Sequence, residues 1–94
     1  YKNRHLITHC FVGGSVVQRV NDLEECAAGA IAILRQQGRE VGRATTDTFG
    51  EFKIDRLPPG SGRYDLEVTG AAGRATADFV LGDESPYLGV LMLA

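Results

Sequence analysis

A chain of 94 residues with a net charge of −2, its acids and bases interspersed, is enough polypeptide for one domain and lacks the basic surface that nucleic acid demands. No apolar run approaches the roughly 20 residues that cross a bilayer, so no membrane segment is expected. With 44% hydrophobic residues and 12 glycines, the composition fits an ordered, turn-rich globule.

The chain opens on Tyr1 without a charged-then-apolar leader. That reads as a domain excised from a longer protein, with any targeting signal outside it. Residues 1–8, with the basic cluster Lys2, Arg4 and His5, read as a solvated linker from a missing N-terminal part, and residues 9–94 as the domain. Leu6 to Val17 has a strand pattern, and Gly13-Gly14 in its middle marks a bulge or a close backbone approach. Asn21 to Gly38 is ambiguous. Asn21 and Asp22 can cap a helix, Glu24 and Glu25 suit its first turn, and Leu23, Ala27, Ala30, Ile31 and Leu34 fall at helical spacing. Arg35 and Gly38 suit a C-terminus, so pattern alone slightly favours helix here.

Glu40 to Thr46 reads as a strand. Asp47 and Gly50 then supply turn chemistry: a carboxylate that caps local amides, and a residue at ease with positive φ. Glu51 to Leu57 follows as a strand, with Phe52 and Ile54 on one face and Glu51, Lys53 and Asp55 on the other. Leu57-Pro58-Pro59-Gly60 makes a loop. In Arg63 to Thr69, Tyr64, Leu66 and Val68 alternate with Arg63, Asp65, Glu67 and Thr69, the period of a strand wet on one face. Gly70-Ala71-Ala72-Gly73 turns the chain into Arg74 to Leu81, where Ala75, Ala77, Phe79 and Leu81 share a face. Beyond Pro86, Tyr87 to Leu93 is a nearly continuous apolar run fit for a buried strand. Turns recur at about the 8–12-residue spacing of a sandwich or barrel. The expected core is Phe52, Ile54, Tyr64, Leu66, Val68, Phe79 and Leu91, with Tyr87 and most of the four Phe also pointing inward.

Gly29-Ala30-x-Ala32-x-Leu34, Thr46-Asp47-x-Phe49-Gly50-x-Phe52, Leu57-x-x-Gly60 and Tyr64-x-Leu66 together resemble the transthyretin-like (prealbumin-like) sandwich. That group includes the carboxypeptidase regulatory-like and collagen-adhesin B-type domains. The resemblance covers residues 10–93 and implies an all-β, seven-stranded β-sandwich. Because the family's second strand begins at the Gly-Ala pair, it also places Gly29 to Gln36 in a strand. Such domains are spacers or interaction surfaces, so no catalytic residue carries over.

A narrower resemblance rests on Tyr1-Lys2-Asn3-x-His5, Cys10-Phe11-Val12-Gly13-Gly14-Ser15-Val16, Cys26-Ala27-x-Gly29-Ala30 and Tyr87-Leu88-Gly89. These strings look like the C-terminal domain of ferredoxin-type iron–sulfur subunits of molybdopterin oxidoreductases, the transhydroxylase beta subunit among them. The resemblance implies two partners, a parent ferredoxin-like domain and a molybdopterin catalytic subunit. It places the 4Fe-4S clusters in the missing N-terminal part. This stretch has no Cys-x-x-Cys, and two cysteines cannot ligate a four-cysteine cluster. A bacterial cytoplasmic or periplasmic setting fits equally.

Few residues point to chemistry. His5, His9, Cys10 and Cys26 are the soft-metal ligands, but adjacent His9 and Cys10 face opposite ways on a strand, which argues against a zinc shell. Cys10 and Cys26 are either a disulfide or two buried thiols. Ser15, Ser61 and Ser85 have no neighbouring base and no Gly-x-Ser-x-Gly elbow. The aspartates are scattered, unlike a calcium loop. Tyr1, Leu6 and Ile7, apolar at the entry to the domain, mark a possible docking surface. The expectation is a non-catalytic accessory domain. A secreted or cell-surface adhesive or glycan-binding module is the alternative, and a small hydrolase on the same scaffold comes third.

Overall fold

The computed structural model describes residues 10–82 and 86–94. They form eight strands: β1 (Cys10–Val20), β2 (Leu23–Cys26), β3 (Ile31–Gln36), β4 (Arg39–Thr45), β5 (Glu51–Leu57), β6 (Gly62–Gly70), β7 (Gly73–Leu81) and β8 (Tyr87–Met92). One sheet is antiparallel throughout, in the order β4-β3-β6-β7. In the other, β1 is central. It pairs in parallel with β8 on one side and antiparallel with β5 and then β2. The handover from β5 to β2 falls at Val16, whose amide donates to Gly50 while its carbonyl accepts from Ala27. This is the all-β transthyretin-like sandwich that the motifs imply, with eight strands instead of seven because Leu23–Cys26 adds a short one.

The helical pattern over Asn21 to Gly38 does not become a helix. Asn21 and Asp22 have φ of 52° and 67° and join the Val20↔Leu23 pair as a two-residue loop. Positive φ at both central residues is the signature of a type I′ hairpin, for which Asn and Asp are suited. Gln37 and Gly38 close the β3–β4 hairpin with the same signs. Ala27, Ala30 and Leu34 are buried, but Leu23 and Ile31 are exposed, so the apparent apolar stripe is split between two strands and a turn.

The core lies between the sheets. Val12 and Val16 of β1 and Phe52 and Ile54 of β5 meet Ala32 and Leu34 of β3 and Tyr64, Leu66 and Val68 of β6, all buried. Alternation along each strand puts these side chains on the inner face, and each large aliphatic one contributes about 1.5–3 kcal/mol relative to exposure. Leu34 sits opposite Leu66, and Leu66 opposite Ala77. The two leucines are flanked by small residues on their other sides, Leu66 by Ala77 and Leu34 by Gly42. Phe79 stacks on Tyr64 with ring centroids 5.5 Å apart.

Gly14 lets β1 approach the Phe52 ring, where a Cβ would lie 3.0 Å from Cε1. Two core assignments need correcting: Phe79 and Leu91 are only partly buried against the cluster. The aromatic expectation fails more widely, since Tyr87, Phe11 and Phe49 are exposed. β8 is covered on its inner face alone, through Leu88 and Leu91, with Leu93 just beyond it also buried, whereas a continuous apolar run implies cover on both.

Candidate functional site

Residues 46–51 form the most elaborated local structure. Asp47 Oδ1 accepts from the amides of Phe49 (2.9 Å) and Glu51 (3.0 Å), and its backbone exchanges hydrogen bonds with Glu51 and Gly50. Asp is chosen at such a turn because its short carboxylate reaches the amides that a two-to-four-residue reversal leaves unpaired. Thr46 beside it is buried. Its hydroxyl accepts from the Ala30 amide (2.8 Å) and donates to the Ala27 carbonyl (2.5 Å). Gly50, at φ 77°, brings this turn against β1. All of this is architecture: the turn fastens the β2–β3 connection to the β4–β5 connection and holds no reactive group.

The outer face of the β3-β6-β7 layer gathers the charge. Glu67 Oε1 accepts from Arg35 (2.7 Å) and Oε2 from Arg74 (3.1 Å), so one carboxylate ties three strands together. Arg35 first, and then Arg74, hold the Glu67 carboxyl below its ordinary range. Asp65 and Asp78 are direct cross-strand partners, a repulsive placement. Arg63 relieves it by pairing with both. Arg35, Asp65, Glu67, Arg74 and Asp78 border an open groove of about 570 Å³. On the neighbouring edge strand, Arg43 binds both oxygens of Glu40 and lowers its carboxyl likewise.

Glu67 and Asp78 have short arginine contacts and Asp65 a longer one of 3.9 Å to Arg63, so the arrangement braces the sheet. The two described serines with side-chain bonds are held by tyrosines, Ser15 by Tyr87 (2.6 Å) and Ser61 by Tyr64 (2.5 Å). Among the described residues no three metal-ligating side chains cluster.

Tyr1, Leu6, Ile7, His5 and His9 lie outside the described residues. Cys10 is buried and Cys26 exposed, and no disulfide joins them. Cys26 pairs with Val17, seven residues along β1 from Cys10, which separates the two by roughly 23 Å at the rise of a strand. A disulfide needs Cα atoms within about 7 Å, so the two form no bridge; the buried-thiol reading describes Cys10 and fails for Cys26, which is exposed. The charged face was missed because alternation shows which residues point outward but not which strands lie side by side.

The architecture is that of the transthyretin-like β-sandwiches. The 5-hydroxyisourate hydrolase of Klebsiella pneumoniae superposes with a TM-score of 0.69 at 18% identity, over 90% of this chain and 91% of that one. A putative carbohydrate binding protein from Pseudomonas aeruginosa gives 0.67 at 13% identity, over 98% and 96%. The minor pilin of Streptococcus agalactiae gives 0.55 at 15%, over 93% and 45%. At such identities these likenesses establish the fold alone. No family model matches the chain.

In sequence, the chain is 37% identical over 95 residues to the pyrogallol hydroxytransferase small subunit of Pelobacter acidigallici, a match that takes in 99% of this chain. The resemblance to transhydroxylase beta subunits read from the motifs is thus met along the whole sequence. The chain spans about a third (32%) of that relative's length.

Proposed function

We propose that this chain is a non-catalytic accessory β-sandwich domain of the iron–sulfur electron-transfer subunit of a molybdopterin oxidoreductase, acting in structural docking. The observation that carries the reading is the 37% identity along 99% of the chain to a small subunit of a hydroxytransferase. The described residues offer braced ion pairs and tyrosine-held serines. In this reading the 4Fe-4S clusters belong to a ferredoxin-like part of the same polypeptide, and the molybdopterin catalytic subunit is the second partner.

Expressing the full-length parent subunit with its large subunit, with and without residues 10–94, tests this. The reading expects the shortened subunit to keep its iron and its visible cluster spectrum while losing yield, stability or retention of the large subunit. A full-length parent without iron and without a large-subunit partner refutes it. So does a domain deletion that changes neither assembly nor stability.

A further inference from the structure

Residues 86–94 carry no charged side chain, and β8 is an edge strand that pairs with β1 alone among the described strands, its edge open as far as Met92 because Ala94 beyond it exchanges hydrogen bonds with Arg74 of β7. The other edge strands are defended by charge: Glu24 and Glu25 on β2, Glu40 and Arg43 on β4, Lys53 and Asp55 on β5, Arg74 and Asp78 on β7. Charged edges deter pairing with foreign strands, and a long uncharged one invites it. Leu93 donates to the Val17 carbonyl. By the alternation of a parallel ladder, the amides and carbonyls of Met92 and Val90 therefore face away from β1.

The same strand presents an apolar outer face. The bulge between Gly13↔Tyr87 and Ser15↔Val90 resets the alternation, so Tyr87 (63% exposed), Val90 (65%) and Met92 (36%) emerge side by side, and Phe11 (37%) lies two residues along β1 from the Tyr87 partner Gly13, with the Lys53 ammonium 4.5 Å from its ring centroid. Taking about 150–250 Å² for each side chain when bare, they expose on the order of 400 Å². That compares with the apolar share of the roughly 800 Å² each partner buries in a standard interface. The outer face of this sheet carries charge along β5, at Glu51, Lys53 and Asp55, but around β8 it is an uncharged strip with an open edge.

We propose that the β8 edge and the adjoining Phe11–Tyr87–Val90–Met92 face form the surface on which the rest of the parent iron–sulfur subunit docks, an extended uncharged segment of that polypeptide continuing the sheet beyond β8. The occupant follows from two observations. Two thirds of the matched relative's length lies outside the segment shared with this chain. Phe11 also follows immediately on Cys10, where the chain enters the sandwich from residues 1–9, so the patch is continuous with the entry point. The inference rests on the accessory-domain reading and gives it an address in the fold.

The test uses the full-length parent subunit with Val90→Glu, and with Val80→Glu as its control. Val80 is equally exposed (73%) but lies on the outer face of the ion-paired sheet. A charge buried at the centre of a dock costs enough to loosen it by about tenfold or more. V90E should therefore accelerate limited proteolysis at the junction before Cys10 about tenfold relative to wild type, and V80E should not. Should V90E fail to fold, amide exchange in the wild-type subunit decides: slow exchange at Val90 and Met92 supports the dock, and exchange at the rate of an unpaired strand overturns it.

Equal cleavage of V90E and V80E overturns it as well. So does V90E releasing the large subunit, or halving the mass of a homodimer, with the junction unaffected; the face would then belong to the catalytic subunit or to a second copy. A parent lacking iron and a large subunit refutes the accessory-domain reading separately, while the protease contrast still decides whether β8 is the dock.

Discussion

Replacing Thr46 by Val isolates the contribution of one buried hydroxyl. The two side chains have nearly the same volume, so the core is unchanged in shape and only the hydrogen bonds are removed. The Ala30 amide loses its acceptor at 2.8 Å and the Ala27 carbonyl loses a donor at 2.5 Å, in a place water does not reach because Thr46 is buried. An orphaned buried amide costs about 1–3 kcal/mol, and a carbonyl with a spare lone pair costs less, so T46V should destabilise by about 2–4 kcal/mol. A domain of this size has about 5–14 kcal/mol in total. Thr46→Ser keeps the hydroxyl and removes one methyl, for about 1 kcal/mol. In urea, where slopes of about 1–3 kcal/mol/M are usual, the gap between the two variants should appear as a midpoint shift of roughly 1 M. If T46V unfolds within about 0.5 kcal/mol of T46S, a margin typical of surface changes, the hydroxyl bridge does not hold the two connections together.

Three further outcomes follow from the geometry. Gly50→Ala should cost well over 2 kcal/mol by the same denaturation assay, since its Cβ would sit 2.4 Å from the Val16 carbonyl oxygen; Gly38→Ala, at φ 78° with open space around it, should cost only the about 1 kcal/mol of left-handed backbone. Leu66→Ala, a truncation at the centre of the core, should cost about 2–5 kcal/mol, and a loss below about 0.5 kcal/mol would mean the register of β6 is shifted by one residue. Glu67, whose carboxyl Arg35 and Arg74 hold below its ordinary value of 4.5, contributes stability that is complete above that pH and lost as the pH falls through its lowered folded value. Glu67→Gln should therefore be less stable than wild type at neutral pH, the gap closing in acid, as followed by thermal melts across pH; a gap independent of pH would show that the ion pairs are not its source.

Where local chemistry decides the structure, the sequence was a good guide. Asp47 and Gly50 announce their turn because a carboxylate that caps amides and a positive φ are properties of those residues alone. Tyr64, Leu66 and Val68 alternate with charges and are buried as expected. The misreadings share a different cause. Asn21-Asp22 suits both a helix cap and a type I′ hairpin, and only tertiary pairing with Val17–Val20 decides between them. Tyr87 and Val90 look like core because an apolar strand gives no sign of which of its faces is left uncovered. The Arg35–Glu67–Arg74 bridge joins residues from three strands whose adjacency is set by topology, and topology likewise decides that Cys10 is a buried thiol while Cys26 is exposed and too distant to bridge to it.

The parallel pairing of the first strand with the last has a mechanical consequence. Polypeptide arriving at Cys10 and polypeptide leaving after Met92 run in the same direction along neighbouring strands, so they emerge at opposite ends of the sandwich. Tension between them would load the β1–β8 hydrogen bonds in shear, all at once, where a hairpin pulled at its open end would unzip one rung at a time. Force applied between Cys10 and Met92 would therefore be borne by the whole β1–β8 ladder together, without giving way strand by strand.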